Sequence, residues 1–91
     1  MGSEVNKIYN LYEIFNDFNR LRILIAMYNL EYTSCDLSNI VGMSQISIMH
    51  QLEFLVDKRV VSKSKSGDTI KYKISDKKFN KIVSQITNYL K

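Results

Sequence analysis

Several polar side chains near the middle of the chain have the types and the spacing to bind the edges of DNA bases. From Ser44 onward, four apolar residues recur with the 3.6-residue period of a helix: Ile48, Leu52, Leu55 and Val56. The same period predicts that four polar residues project from the opposite face: Gln45, Ser47, His50 and Gln51. Their amide, hydroxyl and imidazole groups suit hydrogen bonds to base edges in the major groove. For His50, a bond to a phosphate or a backbone group is an equal alternative, because phosphate contacts are the commoner kind.

This helix is predicted to be the second of a helix-turn-helix that spans residues 34–58. The first helix carries apolar residues at the spacing of one buried face: Leu37, Ile40 and Val41. Thr33 or Ser34 can cap its start. Gly42 follows its last apolar residue and permits the left-handed backbone that ends a helix and turns the chain. Ser44 can then cap the second helix.

An alternating pattern after the second helix predicts a β-hairpin, or wing, over residues 60–75. Its strands would be residues 60–66 and 69–75, joined by a turn at Gly67 and Asp68. Near its base, the hairpin should bury some of its apolar residues: Val61, Ile70, Ile74 or Tyr72. Its lysines should remain in water and, beside a DNA-binding helix, would contact phosphates: Lys63, Lys65, Lys71 and Lys73.

Three further helices are predicted, at residues 4–18, 20–31 and 76–90. The second of them is apolar on nearly all sides and should be central, with Asn19 as its cap. Ser75 or Asp76 can cap the third. The helix at residues 4–18 has more aromatic surface than a small core needs. We therefore expect it to form a two-fold homodimer interface together with the helix at residues 76–90. Packing within one chain is the alternative for the first helix.

Charge is distributed unevenly along the 91 residues, which we treat as one mainly α domain over residues 1–91. The formal net charge is +4. Residues 1–58 hold four Lys and Arg against seven Asp and Glu, whereas residues 59–91 hold nine against two. This distribution is expected if the wing and the last helix meet phosphates. A solvated, lysine-rich surface is the plainer alternative.

Other features of the sequence narrow the function classes. No apolar run approaches the roughly 20 residues that span a bilayer, and the start lacks a signal peptide, so we expect a cytoplasmic protein without membrane contact. The single cysteine, Cys35, cannot form an intrachain disulfide. It is either a small buried apolar residue or a redox-active thiol. With one histidine and no phosphate-binding glycine loop, the sequence predicts no enzyme active site.

Three segments, in this order, resemble the ArsR/SmtB-type winged helix-turn-helix repressors over nearly the whole chain, residues 15–90. FNDFNRLRILIAMYNLE has Arg20 and Leu24 where the signature arginine and leucine of that family fall. SQISIMHQL, residues 44–52, resembles the recognition helix, although Met49 stands where a serine is usual. Residues 65–74 resemble the wing, including the glycine at its tip and the tyrosine at position 72. The resemblance implies the element order α-α-α-α-β-β-α.

The resemblance also implies a homodimer that represses transcription from a palindromic DNA operator until an inducer binds. Many members bind a metal through two cysteines at the start of the helix that here holds Cys35, but Thr33 occupies the other position. Other members use histidines on the last helix, where Lys78 follows Asp76 and no histidine occurs. A soft divalent ion needs three or four ligands close together, so we predict no metal site and no cofactor.

Two function classes follow from the sequence. The first is a DNA-binding transcriptional regulator, a dimeric repressor of double-stranded DNA whose inducer is not a metal at the usual sites of the family. The alternative is a winged-helix protein-association module or antirepressor without DNA affinity of its own. Duplex binding at low salt distinguishes the two.

Overall fold

The computed structural model describes residues 2–90, with the side chains of residue 6 and residues 9–89. Its elements are α1 (Gly2–Phe15), α2 (Phe18–Ala26), α3 (Ser34–Val41), α4 (Gln45–Asp57), β1 (Val61–Ser66), β2 (Thr69–Ile74) and α5 (Lys77–Leu90). The predicted order of four helices, a two-stranded hairpin and a last helix is confirmed. Predictions for the side chains of residues 4, 5, 7, 8 and 90 lie outside the described residues. Across residues 2–90, no helix is long and apolar enough to cross a membrane.

Helix α2 lies at the centre of the molecule, as its apolar sequence predicts. Its residues Ile23 and Leu24, and Met27 just after it, are fully buried. They belong to a core to which the other helices and the hairpin also contribute: Ile14, Leu37, Val41, Ile48, Leu52, Leu55, Val60, Val61, Tyr72, Phe79 and Val83. Helix α2 packs directly against α1, α3 and α5. It is therefore the support on which the helix-turn-helix is built.

The junction between α1 and α2 differs from the prediction. Helix α1 ends at Phe15 instead of residue 18, and Asp17, not Asn19, caps α2. Asp17 has an extended backbone, with φ −152° and ψ 113°, and its side chain accepts a hydrogen bond from the Arg20 backbone N–H. Because a helix cannot continue through an extended residue, α1 stops before Asp17 and α2 starts immediately after it.

The end of α2 also differs, since the helix stops at Ala26 and not at residue 31. Asn29 adopts a left-handed backbone with φ 65°, which breaks the helix. Tyr32 then exchanges two backbone hydrogen bonds with Tyr72 of β2, with N to O distances of 2.9 and 2.7 Å. The segment after α2 is extended because it pairs with the hairpin, and this pairing adds support that a two-stranded ribbon lacks alone.

The helix-turn-helix forms as the local signals predict. Thr33 caps α3 in a capping box, in which its hydroxyl accepts from the Asp36 N–H while the Asp36 carboxylate accepts from the Thr33 N–H. Gly42 follows α3 with φ 71°, in the left-handed region. Ser44 caps α4 and accepts from the Ser47 N–H. The predicted turn and caps are therefore confirmed, but Ile40, which was expected on the buried face of α3 with Leu37 and Val41, is 54% exposed.

Strands β1 and β2 form the predicted antiparallel hairpin around Gly67, whose φ is 62°. The partners run from Val61 opposite Ile74 to Ser66 opposite Thr69. Of the apolar candidates, Val61 and Tyr72 are buried, whereas Ile70 is 40% exposed. The hairpin therefore contacts the core only at its base, and its tip extends into solvent.

Helix α5 packs beside the end of α1. Asp76 caps it, because its carboxylate accepts from the Phe79 N–H at 3.1 Å. The Phe79 ring stacks on Phe15 with a centroid distance of 5.1 Å and an interplanar angle of 3°. Phe79 and Val83 are buried, whereas Tyr89 near the end of α5 is exposed. The two terminal helices thus lie together on one side of the molecule.

The left-handed backbone at Gly42 generates the first testable prediction. We expect Gly42→Ala to lower the free energy of unfolding by about 1–2 kcal/mol, because an L side chain is strained at positive φ although no atom lies within 4 Å of an added Cβ. Gly42→Asn should cost less, since asparagine tolerates this conformation better. Urea unfolding of the two variants measures the difference. Equal losses would mean that backbone conformation is not the cause.

Candidate nucleic-acid interface

The outer face of α4 is exposed along its first two turns. The buried residues Ile48, Leu52 and Leu55 point into the core, and the polar residues predicted to contact bases lie away from them. Of these, three are exposed: Gln45, Ser47 and His50. Two large apolar residues, Ile46 and Met49, lie on the same outer face and are 71% and 44% exposed. This pair was not among the residues predicted to contact DNA, although Ile46, Met49, His50 and Glu53 fall at i, i+3, i+4 and i+7 on one stripe.

Gln51 occupies a different place from the one expected. Its side chain is half-buried. Its Nε2 donates to Asp17 Oδ2 at 3.3 Å, and its Oε1 accepts from Arg20 Nη1 at 3.4 Å. Gln51 therefore faces the junction between α1 and α2, where it holds α4 in position.

Arg20 is the centre of this junction. Its side chain is only 11% exposed. Its Nε donates to the Ile14 carbonyl at 3.0 Å and its Nη2 to the Glu13 carbonyl at 3.4 Å, so it binds the free carbonyls at the end of α1. Its Cζ lies 4.0 Å from the centroid of the Phe54 ring on α4. One guanidinium thus joins the end of α1 to the flank of α4 that carries Gln51 and Phe54.

A second contact joins the same helices one turn beyond Phe54, at the C-terminal end of α4. Lys58 Nζ lies 2.7 Å from Glu13 Oε1, and both side chains are about one third exposed. A pair of this exposure contributes at most about 1 kcal/mol. With Arg20, it fixes α4 to α1 at two points along the helix, which restricts how α4 can rotate relative to α1.

The start of α4 is preorganised by hydrogen bonds between exposed side chains. Ser44 Oγ and Ser47 Oγ are 2.9 Å apart, and Gln45 Nε2 donates to Ser34 Oγ at 3.1 Å. The Gln45 bond connects the starts of α3 and α4. Backbone N–H groups at a helix start are suited to bind phosphate, and here Ser44, Gln45 and Ile46 are exposed while the Ser47 N–H is already bonded to Ser44 Oγ.

The hairpin distributes its four lysines between two faces. In the observed register Lys63 is opposite Tyr72 and Lys65 is opposite Ile70, so these lysines share the face that reaches the core at its base. Lys71 and Lys73 lie opposite serines on the other face. Lys63 Nζ is 3.6 Å from Glu53 Oε1 of α4, which places the first face beside the outer stripe of α4. All four lysines are exposed.

Cys35 is exposed near the start of α3. The reading of Cys35 as a buried apolar residue is therefore wrong, while a redox role stays a prediction. No three His, Cys, Asp or Glu side chains come together as a metal site within the part of the chain that the structure describes.

Comparison with known proteins identifies the family. A family model, described as bacterial regulatory protein, arsR family, matches residues 17–63, just over half of the chain. This chain belongs to the ArsR family. The resemblance inferred from the sequence is thus confirmed, and the protein is an ArsR-family transcriptional regulator with a winged helix-turn-helix fold.

Individual relatives of this ArsR-family chain are distant in sequence and close in fold. Over 87 residues it is 23% identical to the transcriptional repressor SmtB homolog of Synechocystis sp., covering 96% of this chain and 66% of that protein. It therefore spans slightly less than two thirds of that relative. HlyU from Vibrio cholerae superposes with a TM-score of 0.90 at 21% identity, over 98% of this chain and 97% of that one.

A further structure is described as the homodimeric winged helix-turn-helix DNA-binding domain of a possible ArsR-family transcriptional regulator from Mycobacterium bovis. It superposes with a TM-score of 0.84 at 15% identity, over 98% of this chain and 82% of that one. At this level of identity, the similarity establishes that the fold is shared.

The Asp17 carboxylate generates a pH prediction. The hydrogen bond from the Arg20 backbone N–H lowers the pKa of Asp17 most; partial burial opposes this, and Gln51 and the Arg20 charge lower the pKa further. A depressed folded-state pKa stabilises the fold above the ordinary carboxyl pKa, and this stabilisation is lost as pH falls through the folded-state value. Asp17→Asn should therefore be less stable than the wild type at pH 7, with the difference shrinking below about pH 4.

Urea unfolding at pH 7 and at acidic pH measures this difference. Asp17→Ala is the matched comparison, because alanine removes the cap as well as the charge: it should lose more stability than Asp17→Asn at pH 7, and in acid, where the wild type is also uncharged, it should keep a residual deficit of about 1 kcal/mol. If the deficit of Asp17→Asn persists unchanged in acid, the carboxylate charge is not what stabilises the junction.

Proposed function

We propose that this ArsR-family regulator is a dimeric repressor that binds a palindromic DNA operator and places α4 in the major groove. The observation that carries the proposal is the outer face of α4, exposed over two turns and flanked by the basic face of the hairpin. The Synechocystis relative is described as a transcriptional repressor, which supports the direction of regulation. Acting on chromosomal DNA, the regulator would work in the cytoplasm.

Contacts with DNA divide into two kinds in this proposal. His50 is assigned to base edges from the outer face of α4, and Gln45 would contribute its Oε1, because its Nε2 is bonded to Ser34 Oγ. Ser44 and Ser47, with the backbone N–H groups at the start of α4, contact phosphate and set the depth of the helix in the groove. Gln51 contributes indirectly, because its bonds to Asp17 and Arg20 hold the helix in position.

The wing supplies affinity more than specificity. Lys63 and Lys65 lie on the hairpin face beside α4, so we assign to them the direct phosphate contacts. On DNA binding, the Lys63 ammonium group would either leave Glu53 for a phosphate or contact the Glu53 carboxylate and a phosphate together. Lys71 and Lys73, on the opposite face, contribute mainly through long-range attraction.

The terminal helices provide the dimer contact in this proposal. Tyr9 and Tyr12 of α1 and Tyr89 of α5 are large, exposed side chains on two helices that already pack together. A two-fold axis through this surface would bury them and would present two copies of α4 to half-sites about one helical turn, roughly 34 Å, apart. The homodimeric structure from Mycobacterium bovis supports such an assembly.

Selection from random duplex DNA at two salt concentrations tests the function. We expect enrichment of a palindrome, two chains in each complex and a steep loss of affinity with salt. Enrichment of a single half-site with one chain would remove the dimer from the proposal. No binding even at low salt would favour the alternative, a protein-association module.

The assignment of the wing generates a separate prediction. Replacing Lys63 and Lys65 together by Ala should reduce the slope of log affinity against log salt by about two, since each phosphate contact releases about one counterion. Lys71→Ala with Lys73→Ala removes the same charge from the other hairpin face and should change the slope less. Fluorescence anisotropy on the selected duplex at several salt concentrations measures both. Equal changes in the two variants would mean that the wing acts only through its net charge.

A further inference from the structure

We propose that Ile46 and Met49 form an apolar contact surface for thymine methyl groups in the operator. This inference rests on the proposed function, because it requires α4 to lie in the major groove. It adds to the proposed hydrogen bonds an apolar contact, through which α4 would prefer thymine at defined positions of the operator.

The pair differs from the other apolar residues of α4. Ile48, Leu52 and Leu55 are fully buried in the core, whereas Ile46 is 71% and Met49 is 44% exposed. Three residues apart on a helix, the two side chains are neighbours, with Cβ atoms about 5–6 Å apart. They form one continuous apolar patch between the polar residues Gln45 and His50.

The position of the patch favours one occupant. The exposed tyrosines of the terminal helices lie at the proposed dimer contact, but Ile46 and Met49 project from the face of α4 that enters the groove. The floor of the major groove offers apolar side chains one strong partner, the 5-methyl group of thymine. Toward the end of α4, the stripe that begins with Ile46 and Met49 becomes charged. Glu53 lies on it, with its Oε1 3.6 Å from Lys63 Nζ of the hairpin. The apolar contact is therefore confined to the first two turns of the helix.

The geometry of helix and groove sets the spacing of the thymines. Three residues of helix rise about 4.5 Å, and neighbouring base pairs are separated by about 3.4 Å. With Cβ atoms about 5–6 Å apart, Ile46 and Met49 are assigned to thymines one or two base pairs apart, on either strand, within each half-site. Ile46 is β-branched and has few rotamers, so its thymine should be the more strictly required, while flexible Met49 adapts to more than one base.

Replacement of thymine by deoxyuridine in the selected duplex tests the inference, because it removes only the methyl group. We expect uridine at the position facing Ile46 to weaken binding about three- to fivefold, the value of one buried methyl group. Ile46→Ala should bind the thymine duplex more weakly and should lose most of the preference for thymine over uridine. Ile40→Ala, which truncates an exposed isoleucine of α3, is the matched control and should keep the wild-type preference.

The outcomes separate this inference from the proposed function. Tight, salt-dependent binding that is unchanged by uridine at every half-site thymine would overturn the methyl contact and leave the repressor proposal intact. An undiminished thymine preference in Ile46→Ala would also overturn it. A wild-type protein that binds no duplex at all would remove the proposed function and the inference together. Circular dichroism establishes that Ile46→Ala folds, as expected for an exposed side chain.

Discussion

The guanidinium of Arg20 is the point at which three helices of this protein are joined. It donates to the Glu13 and Ile14 carbonyls at the end of α1, belongs to α2, and lies on the Phe54 ring and against Gln51 of α4. A largely buried charge is costly unless its donors are satisfied, and here the fork of the guanidinium is filled by carbonyls, an amide oxygen and a nearby carboxylate. Any rotation of α4 relative to α1 would leave part of this set unpaired.

That constraint connects the two surfaces on which the proposed function depends. Helix α1 belongs to the side of the molecule with the exposed tyrosines, and α4 carries the outer face proposed to enter DNA. In a two-fold dimer, the separation and tilt of the two recognition helices would follow from the α1 contact through Arg20 and the Lys58–Glu13 pair.

Much of the fold was predictable from local signals. The helix-turn-helix has a cap at Thr33, a left-handed glycine at position 42 and a cap at Ser44, and each works through backbone groups only a few residues away. The hairpin turn at Gly67 is equally local. The predicted bounds of α2 were wrong because Asp17, not Asn19, caps its start, and because the left-handed backbone at Asn29 ends the helical path before Tyr32 pairs with Tyr72, forty residues later. No glycine marks the end of α4 in the sequence. The left-handed position after the helix, where glycine is usual, is taken by Arg59 with φ 63°.

The sequence by itself determined the order of the elements, the turns between them, the family and the basic character of the second part of the chain. These properties depend on residue type and on spacing within one helix or hairpin. Only the tertiary structure decided that Gln51 positions α4 instead of facing outward, that Ile46 and Met49 share the outer face, and that the four lysines divide between two faces of the wing. Which way a polar side chain on a helix flank points depends on partners that are distant in sequence, because a buried charge such as Arg20 selects the amide that satisfies it.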